Sequence, residues 1–239
     1  VSKALIFTGG INHPFEDAAP LLADILDEVG WASRVTYQLT ELVEWLRDEP
    51  DALLVVYALR WSMTQHEKYA QQRARWALSA SPEARLAIAG HVAAGGGLLG
   101  LHTASICFDD WAEWGRVLGG WWQWGTSSHP PLGAVDVQLN AQHFLTQGLG
   151  PFTLTDEVYG QQQLLPDVAV FGWSSAADEA ASSRAPQPTG WTHHYGKGRV
   201  VYDALGHDSA ALNHPVHRRL LQRASLWAGG RPELALDAR

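Results

Sequence analysis

Short apolar runs closed by glycine or small polar residues alternate along this chain with stretches whose apolar residues recur at helical spacing. Lys3 to Thr8 is a β-prone run ending in Gly9-Gly10, and Phe15 to Val29 carries a helical pattern that Gly30 stops. Ser33 to Tyr37 reads as a second strand, Glu41 to Leu46 as a short helix with Thr40 as its N-cap, and Ala52 to Tyr57 as a third, fully apolar strand. The polar span Trp61 to Ser79 reads as a helix with Tyr69, Trp76 and Leu78 on its apolar side. Pro82 then opens an amphipathic helix through Leu86, Ile88 and Val92. Strands separated by helices predict right-handed crossovers and a mainly parallel sheet with helices on both faces, an α/β fold.

The middle of the chain is Gly95-Gly96-Gly97-Leu98-Leu99-Gly100-Leu101-His102, a buried strand running into a sharp turn that should expose His102 at the strand end. Asp109-Asp110 suits the cap of a helix through Trp111, Trp114 and Val117, which Gly119-Gly120 ends. The irregular stretch from Trp121 to Pro131 reads as a loop lying over something. Strands follow at Val135 to Leu139 and Val168 to Phe171, with a turn and short helix at His143 to Gly150 and an acidic pair, Asp156-Glu157, between them. Ser174 to Thr189 reads as a surface loop, Trp191 to Tyr195 and Arg199 to Ala204 as a hairpin, and Pro215 to Trp227 as a closing helix. No internal repeat or linker divides residues 1–239, which read as one domain.

Composition narrows the partners. With 46% hydrophobic and 18% charged residues and no apolar run near the roughly 20 residues of a membrane span, the chain reads as soluble, with no membrane partner. A net charge of −8 opposes attraction to nucleic acid. Cys107 is the single cysteine, and no basic segment followed by an apolar signal core opens the chain, so a reducing cytoplasmic setting is expected. Twelve tryptophans are a surplus that suits a core, a subunit interface in a homo-oligomer, or stacking on sugar rings.

Among 11 histidines, His102 has the best placement, because ligands and reacting groups collect at the carboxyl ends of strands in open α/β sheets. His207 follows Gly206 just past another strand end. His129 projects from the tryptophan loop. Of Asp156 and Glu157, adjacent in extended chain, one should face a pocket and the other cap or pair at the surface. His193 and His194 cannot both face inward from one strand.

The segments GGGLLGLHTAS, SSHPP, DEVY, GKGRVVY and ALGH, followed by a helix ending Trp227-Ala228, together resemble the trehalose-utilisation (ThuA-like) family across about Lys3 to Gly229. The resemblance implies a flavodoxin-like fold related to class I glutamine amidotransferases. Those enzymes keep a cysteine nucleophile at the strand-to-helix elbow, where this chain has His102, so glutamine hydrolysis is not expected. The resemblance further implies a small carbohydrate as substrate and marks Glu157 and the Ser-His-Pro segment.

Together these readings assign His102, Glu157 and His207 as catalytic, and His129, Tyr159, Trp122, Trp124 and Ser105 as substrate-binding. The expected function is an enzyme acting on a glycoside or keto-sugar, with His102 and His207 moving protons and Glu157 orienting. The alternatives are a non-catalytic sugar-binding or assembly protein and a metal-dependent hydrolase. His102, His129, Glu157 and His207 have the chemistry of a divalent-metal site, but no HExxH-like spacing is present, so no cofactor and no metal ligand is assigned and a divalent ion stays an alternative.

Overall fold

The computed structural model describes residues 2–177 and 185–232. In chain order the elements are β1 (Lys3–Gly10), α1 (Phe15–Asp27), β2 (Ala32–Thr36), α2 (Leu39–Asp48), β3 (Leu53–Leu59), α3 (Ala70–Trp76), α4 (Pro82–Ala94), β4 (Gly97–Leu101), α5 (Ala112–Leu118), β5 (Gly120–Trp121) and β6 (Gly133–Leu139). Then follow β7 (Phe152–Asp156), β8 (Gln163–Leu164), β9 (Ala169–Ala176), β10 (Gln187–Tyr195), β11 (Gly198–Asp203), α6 (Ser209–Asn213) and α7 (Pro215–Ala228).

Nine strands form one sheet in the order β2-β1-β3-β4-β11-β10-β9-β6-β7. The first five are parallel and follow the flavodoxin order, while β10, β9, β6 and β7 add an antiparallel extension. Burial follows from this split. Every residue of β3 and β4 is buried, as helices on both faces require, whereas β7 alternates buried and exposed because only one of its faces is covered. The strand order turns back at β1, which has β2 on one side and β3 on the other, so the crevice for a ligand lies outside the carboxyl ends of β1 and β3. Among the described residues no helix is long and apolar enough to cross a membrane.

Local corrections have physical causes. Thr40 lies inside α2; Thr36 organises its start instead, accepting the Gln38 N–H at 3.0 Å and donating to Glu41 Oε2 at 2.5 Å. Of the Trp61 to Ser79 span, only a 3₁₀ turn at Glu67–Tyr69 and α3 are helical, because Trp61 and Met63 offer their carbonyls to Leu78 N–H and to Arg73 across the segment. Leu86, expected on the buried side of α4, is 76% exposed. Asp109 and Asp110 do not cap α5: Asp109 accepts from the Ser62 N–H and hydroxyl, and Asp110 pairs with Arg85. The expected loop at Ser174 to Thr189 is largely strand at its ends, since β9 runs to Ala176 and β10 begins at Gln187; residues 178–184 lie outside the described residues.

Two buried histidines away from the strand-end crevice set opposite limbs of the pH dependence of stability. His143 Nδ1 accepts the Leu145 N–H and Nε2 faces Thr192 Oγ1, an arrangement that uses the neutral ring, and burial lowers its pKa from 6.5 to about 4. The unfolded chain therefore takes up this proton first, and stability falls as pH drops from about 6.5 towards 4. His217 behaves oppositely. Burial works against its charge, but Asp203 and the Ala211 carbonyl outweigh it and raise its pKa above 6.5. Its contribution is full below 6.5 and is lost as pH rises through the folded value. Urea midpoints measured from acid to alkaline pH are expected to peak near neutrality, with His143→Gln flattening the acid limb; an unchanged acid limb in that variant would refute the assignment.

Candidate functional site

Four strand ends deliver the site. His13 follows β1 through Gly10, whose φ of +142° is open to glycine and where a Cβ would stand 2.3 Å from the Leu59 carbonyl oxygen at the end of β3. His102 follows β4 and opens a 3₁₀ turn with φ +50°, a left-handed conformation that costs a non-glycine residue about 1–2 kcal/mol. Tertiary bonds hold it there: Nδ1 faces the Ala204 carbonyl at 2.7 Å, and the His102 carbonyl accepts from Tyr202 Oη at 2.7 Å. Glu157 follows β7, and His207 follows β11 through Gly206 at φ +113°.

Asp156 links two of these ends. It is 1% exposed; Oδ1 accepts the Glu157 N–H and Oδ2 the Gly206 N–H, both at 2.7 Å. The acidic pair is thus buried at both members, and the expected surface partner is instead the brace that sets the Glu157 and His207 loops against each other.

The side chains converge tightly. His13 Nε2 and His102 Nε2 are 2.9 Å apart, Glu157 Oε2 lies 3.4 Å from His102 Nε2 and 3.9 Å from His13 Nε2, and His207 Nδ1 lies 3.6 Å from Glu157 Oε1. One ligand-type atom from each of His13, His102, Glu157 and His207 lies within 4.8 Å of all the others, so among the described residues these four could hold a metal ion. Tyr159 donates its hydroxyl towards His102 Nε2 at 3.2 Å, and its ring stacks on the His102 ring.

Charge is distributed by this packing. Burial alone would raise the Glu157 pKa, but the surrounding imidazoles of His102, His207 and His129 outweigh it and hold the carboxyl well below its usual range. Burial also opposes charge on His207, yet Glu157 raises its pKa. His13 goes the other way, down to about 3, through burial and the neighbouring His102 and His207. The floor therefore holds an ionised carboxylate beside a neutral His13.

A cavity of about 350 Å³ opens above, with His13, Glu157 and Tyr159 on its floor and His129 at its rim. Trp61, Tyr69, Trp122 and Trp124 form aromatic walls. His129 Nδ1 is 3.5 Å from Glu157 Oε1, with its side chain 38% exposed. The buried Trp124 Nε1 has no hydrogen-bond partner among the described residues.

The ThuA family model, described as trehalose utilisation, matches residues 3–228, nearly the whole chain. The chain belongs to the ThuA family. That membership places it in carbohydrate metabolism. No curated protein matches it in sequence. A ThuA-like protein from Parabacteroides merdae shares the fold with a TM-score of 0.75 at 19% identity, covering 96% of this chain and 90% of that one. A second, from Bacteroides uniformis, gives 0.65 at 20% identity, covering 95% and 91%. A β-galactosidase from Rahnella sp. R3 contains the same fold within a longer chain, with a TM-score of 0.56 at 16% identity, covering 99% of this chain and 31% of that one.

Within this ThuA fold the assigned residues fall in distinct places. Glu157, His129, Tyr159, Trp122 and Trp124 line the cavity. His102 is at the centre of the cluster but wholly buried, not exposed by its turn, because the rings of His13, Tyr159 and His207 pack around it. Ser105 sits behind the elbow, where its hydroxyl donates to Tyr202 Oη at 3.0 Å and its carbonyl accepts from the Trp122 N–H. Trp111 and Trp114 stack on each other in the core. His193 is buried and His194 exposed, as one strand demands. The sequence reading passed over His13, Trp61 and Tyr69. His13 carried the same signal as His102 and His207, an imidazole just past a glycine-flanked strand end; Trp61 and Tyr69 were hidden by reading their segment as one helix.

Proposed function

We propose that this ThuA-family protein is an enzyme of carbohydrate catabolism that acts on a glycoside, or on its oxidised keto form, in the cavity above Glu157. The observation that supports this most is a charged imidazole–carboxylate floor beneath aromatic walls. Indole faces stack on the C–H faces of sugar rings, and the polar floor meets hydroxyl or carbonyl groups. The cavity volume of about 350 Å³ is of the size used for small-molecule ligands.

Burial divides the labour. Glu157, ionised and facing the cavity, is the fixed negative charge that orients substrate hydroxyls, and the partly exposed His129 beside it is the group that exchanges a proton with substrate or water. His207 stabilises the Glu157 charge from behind. His102 has its Nδ1 committed to the Ala204 carbonyl and positions the set. This moves the proton-transfer role from His102 and His207 to His129 and leaves Glu157 as the orienting group.

The test is a screen of the pure protein against disaccharides, aryl glycosides and their 3-keto derivatives, following product formation and binding separately. Turnover is expected for at least one class, with Trp122→Ala raising KM about tenfold or more, in line with a lost aromatic contact worth roughly 1.5 kcal/mol. Binding of a sugar without turnover of any would replace the enzyme by a sugar-binding protein.

A further inference from the structure

We propose that His13, His102, Glu157 and His207 bind one first-row divalent metal ion at the base of the cavity, a site that goes beyond the sugar reading and stands without it.

The hydrogen-bond directions carry the argument. His13 Nδ1 faces the Ile11 carbonyl at 3.1 Å and His102 Nδ1 faces the Ala204 carbonyl at 2.7 Å. A carbonyl oxygen only accepts, so each Nδ1 carries a proton, and each ring in its neutral form turns the lone pair of Nε2 inward. Those two lone pairs meet at 2.9 Å. Glu157 adds a third acceptor, Oε2, 3.4 Å from His102 Nε2. Acceptors converging at these distances repel one another unless protons or a metal cation lie among them, and the Tyr159 hydroxyl, 3.2 Å from His102 Nε2, has one proton to offer the three. Backbone carbonyls that fix the remote nitrogen of a histidine are also the usual outer support of a metal ligand.

Burial sharpens the point: Glu157 is 8% exposed, and among the described residues its buried Oε2 and the buried Nδ1 of His207 complete no hydrogen bond, their neighbours His102 Nε2 and Glu157 Oε1 standing off at 3.4 and 3.6 Å. An orphaned buried polar atom is costly and calls for an explanation. Here two of them lie in the same cluster, within 4.8 Å of the inward histidine atoms.

Spacing and donor type agree on the class of ion. Ligands held at about 2.0–2.1 Å in a tetrahedron stand roughly 3.4 Å apart; the separations among His13, His102 and Glu157, 2.9, 3.4 and 3.9 Å, bracket that value, and His207 lies within 4.8 Å of the other three. Three imidazoles and one carboxylate suit zinc, manganese, iron, cobalt or nickel, whereas magnesium and calcium prefer oxygen alone. The only cysteine, Cys107, is buried with its thiol on the Ala58 carbonyl and takes no part. An ion held here would sit where His13 and Glu157 border the cavity, placed to polarise a hydroxyl or carbonyl of a bound ligand.

The experiment uses the whole chain produced without a histidine tag, stripped by a chelator and titrated with Zn²⁺ alone by calorimetry, with elemental analysis of the protein before stripping. One site per chain is expected. His13→Gln and His102→Ala should each weaken Zn²⁺ binding by more than about 100-fold, beyond the 10- to 100-fold typical of losing an outer-shell partner. His194→Ala, on the exposed side of β10, should leave affinity within twofold. Because His102 is wholly buried, its variant could fail to fold; His13→Gln, nearer the cavity, decides the case, read also by loss of the rise in Tm that Zn²⁺ gives the parent protein. Absence of saturable binding in the parent, or equal affinity in His13→Gln, overturns the site. Neither readout involves a sugar, so failure here is separate from failure of the proposed activity.

Discussion

Glu157→Gln is expected to lower kcat for the sugar substrate by about 10²–10³-fold, the range that a preorganised group stabilising the transition state contributes. The replacement keeps the shape of the side chain and removes its charge. Three imidazoles approach the carboxylate, with His102 at 3.4 Å, His129 at 3.5 Å and His207 at 3.6 Å, and none can compensate for a neutral amide. The pKa of His207 should fall as well, because Glu157 is what raises it against the opposing effect of burial. Two measurements check the claim together: steady-state kinetics, in which kcat collapses, and an NMR titration of the His207 ring, which should move to lower pH. A kcat within threefold of the parent would sink the orienting role, and an unmoved His207 titration would sink the electrostatic account.

His217→Ala should cost about 3–5 kcal/mol of stability, the penalty for breaking a buried ion pair from one side. His217 is wholly buried on α7, with Nδ1 facing the Ala211 carbonyl at 2.8 Å and Nε2 3.3 Å from Asp203 Oδ2. Both ring nitrogens face acceptors, so the ring is held as the imidazolium, consistent with its raised pKa. Without it Asp203, 1% exposed at the end of β11, becomes an unpaired buried charge. Asp203 Oδ1 also accepts the Leu205 N–H, so the strap running to His207 depends on this carboxylate. The check is urea denaturation of His217→Ala, Asp203→Asn and the double variant near pH 6. The double variant should lose less than the sum of the two single losses, because removing both partners leaves no stranded charge. Additive losses, or a loss under 1 kcal/mol for His217→Ala, would refute the pairing.

Several features of the fold were legible in the chain because they are local. Apolar runs bounded by glycine located β1 and β4, an unbroken apolar run after Pro50-Asp51 located β3, and Pro82 after Ser81 marked the start of α4, where Ser81 accepts the Ala84 N–H. Of the antiparallel extension the β10–β11 hairpin was legible, but its union with β9, β6 and β7 was not, because β9 pairs with β6 across the intervening β7 and β8 rather than with its neighbour in sequence. Thr36 rather than Thr40 at the start of α2, and Asp109 turned towards Ser62, show how weak a local capping signal is against a tertiary partner.

What the sequence determined by itself was a set of strand ends carrying imidazole and carboxylate, and an α/β sheet that gathers such ends on one edge. The tertiary structure decided which of them meet, and how each is used. His13 joins His102 because β1 and β4 flank β3, although 89 residues separate the two rings along the chain. His102 is buried and not exposed because other rings close over it, and Asp156 turns inward because the Gly206 N–H requires an acceptor. Residue type sets what a group can donate or accept; only the partners brought by long-range packing set its tautomer, its charge and whether it reaches the cavity.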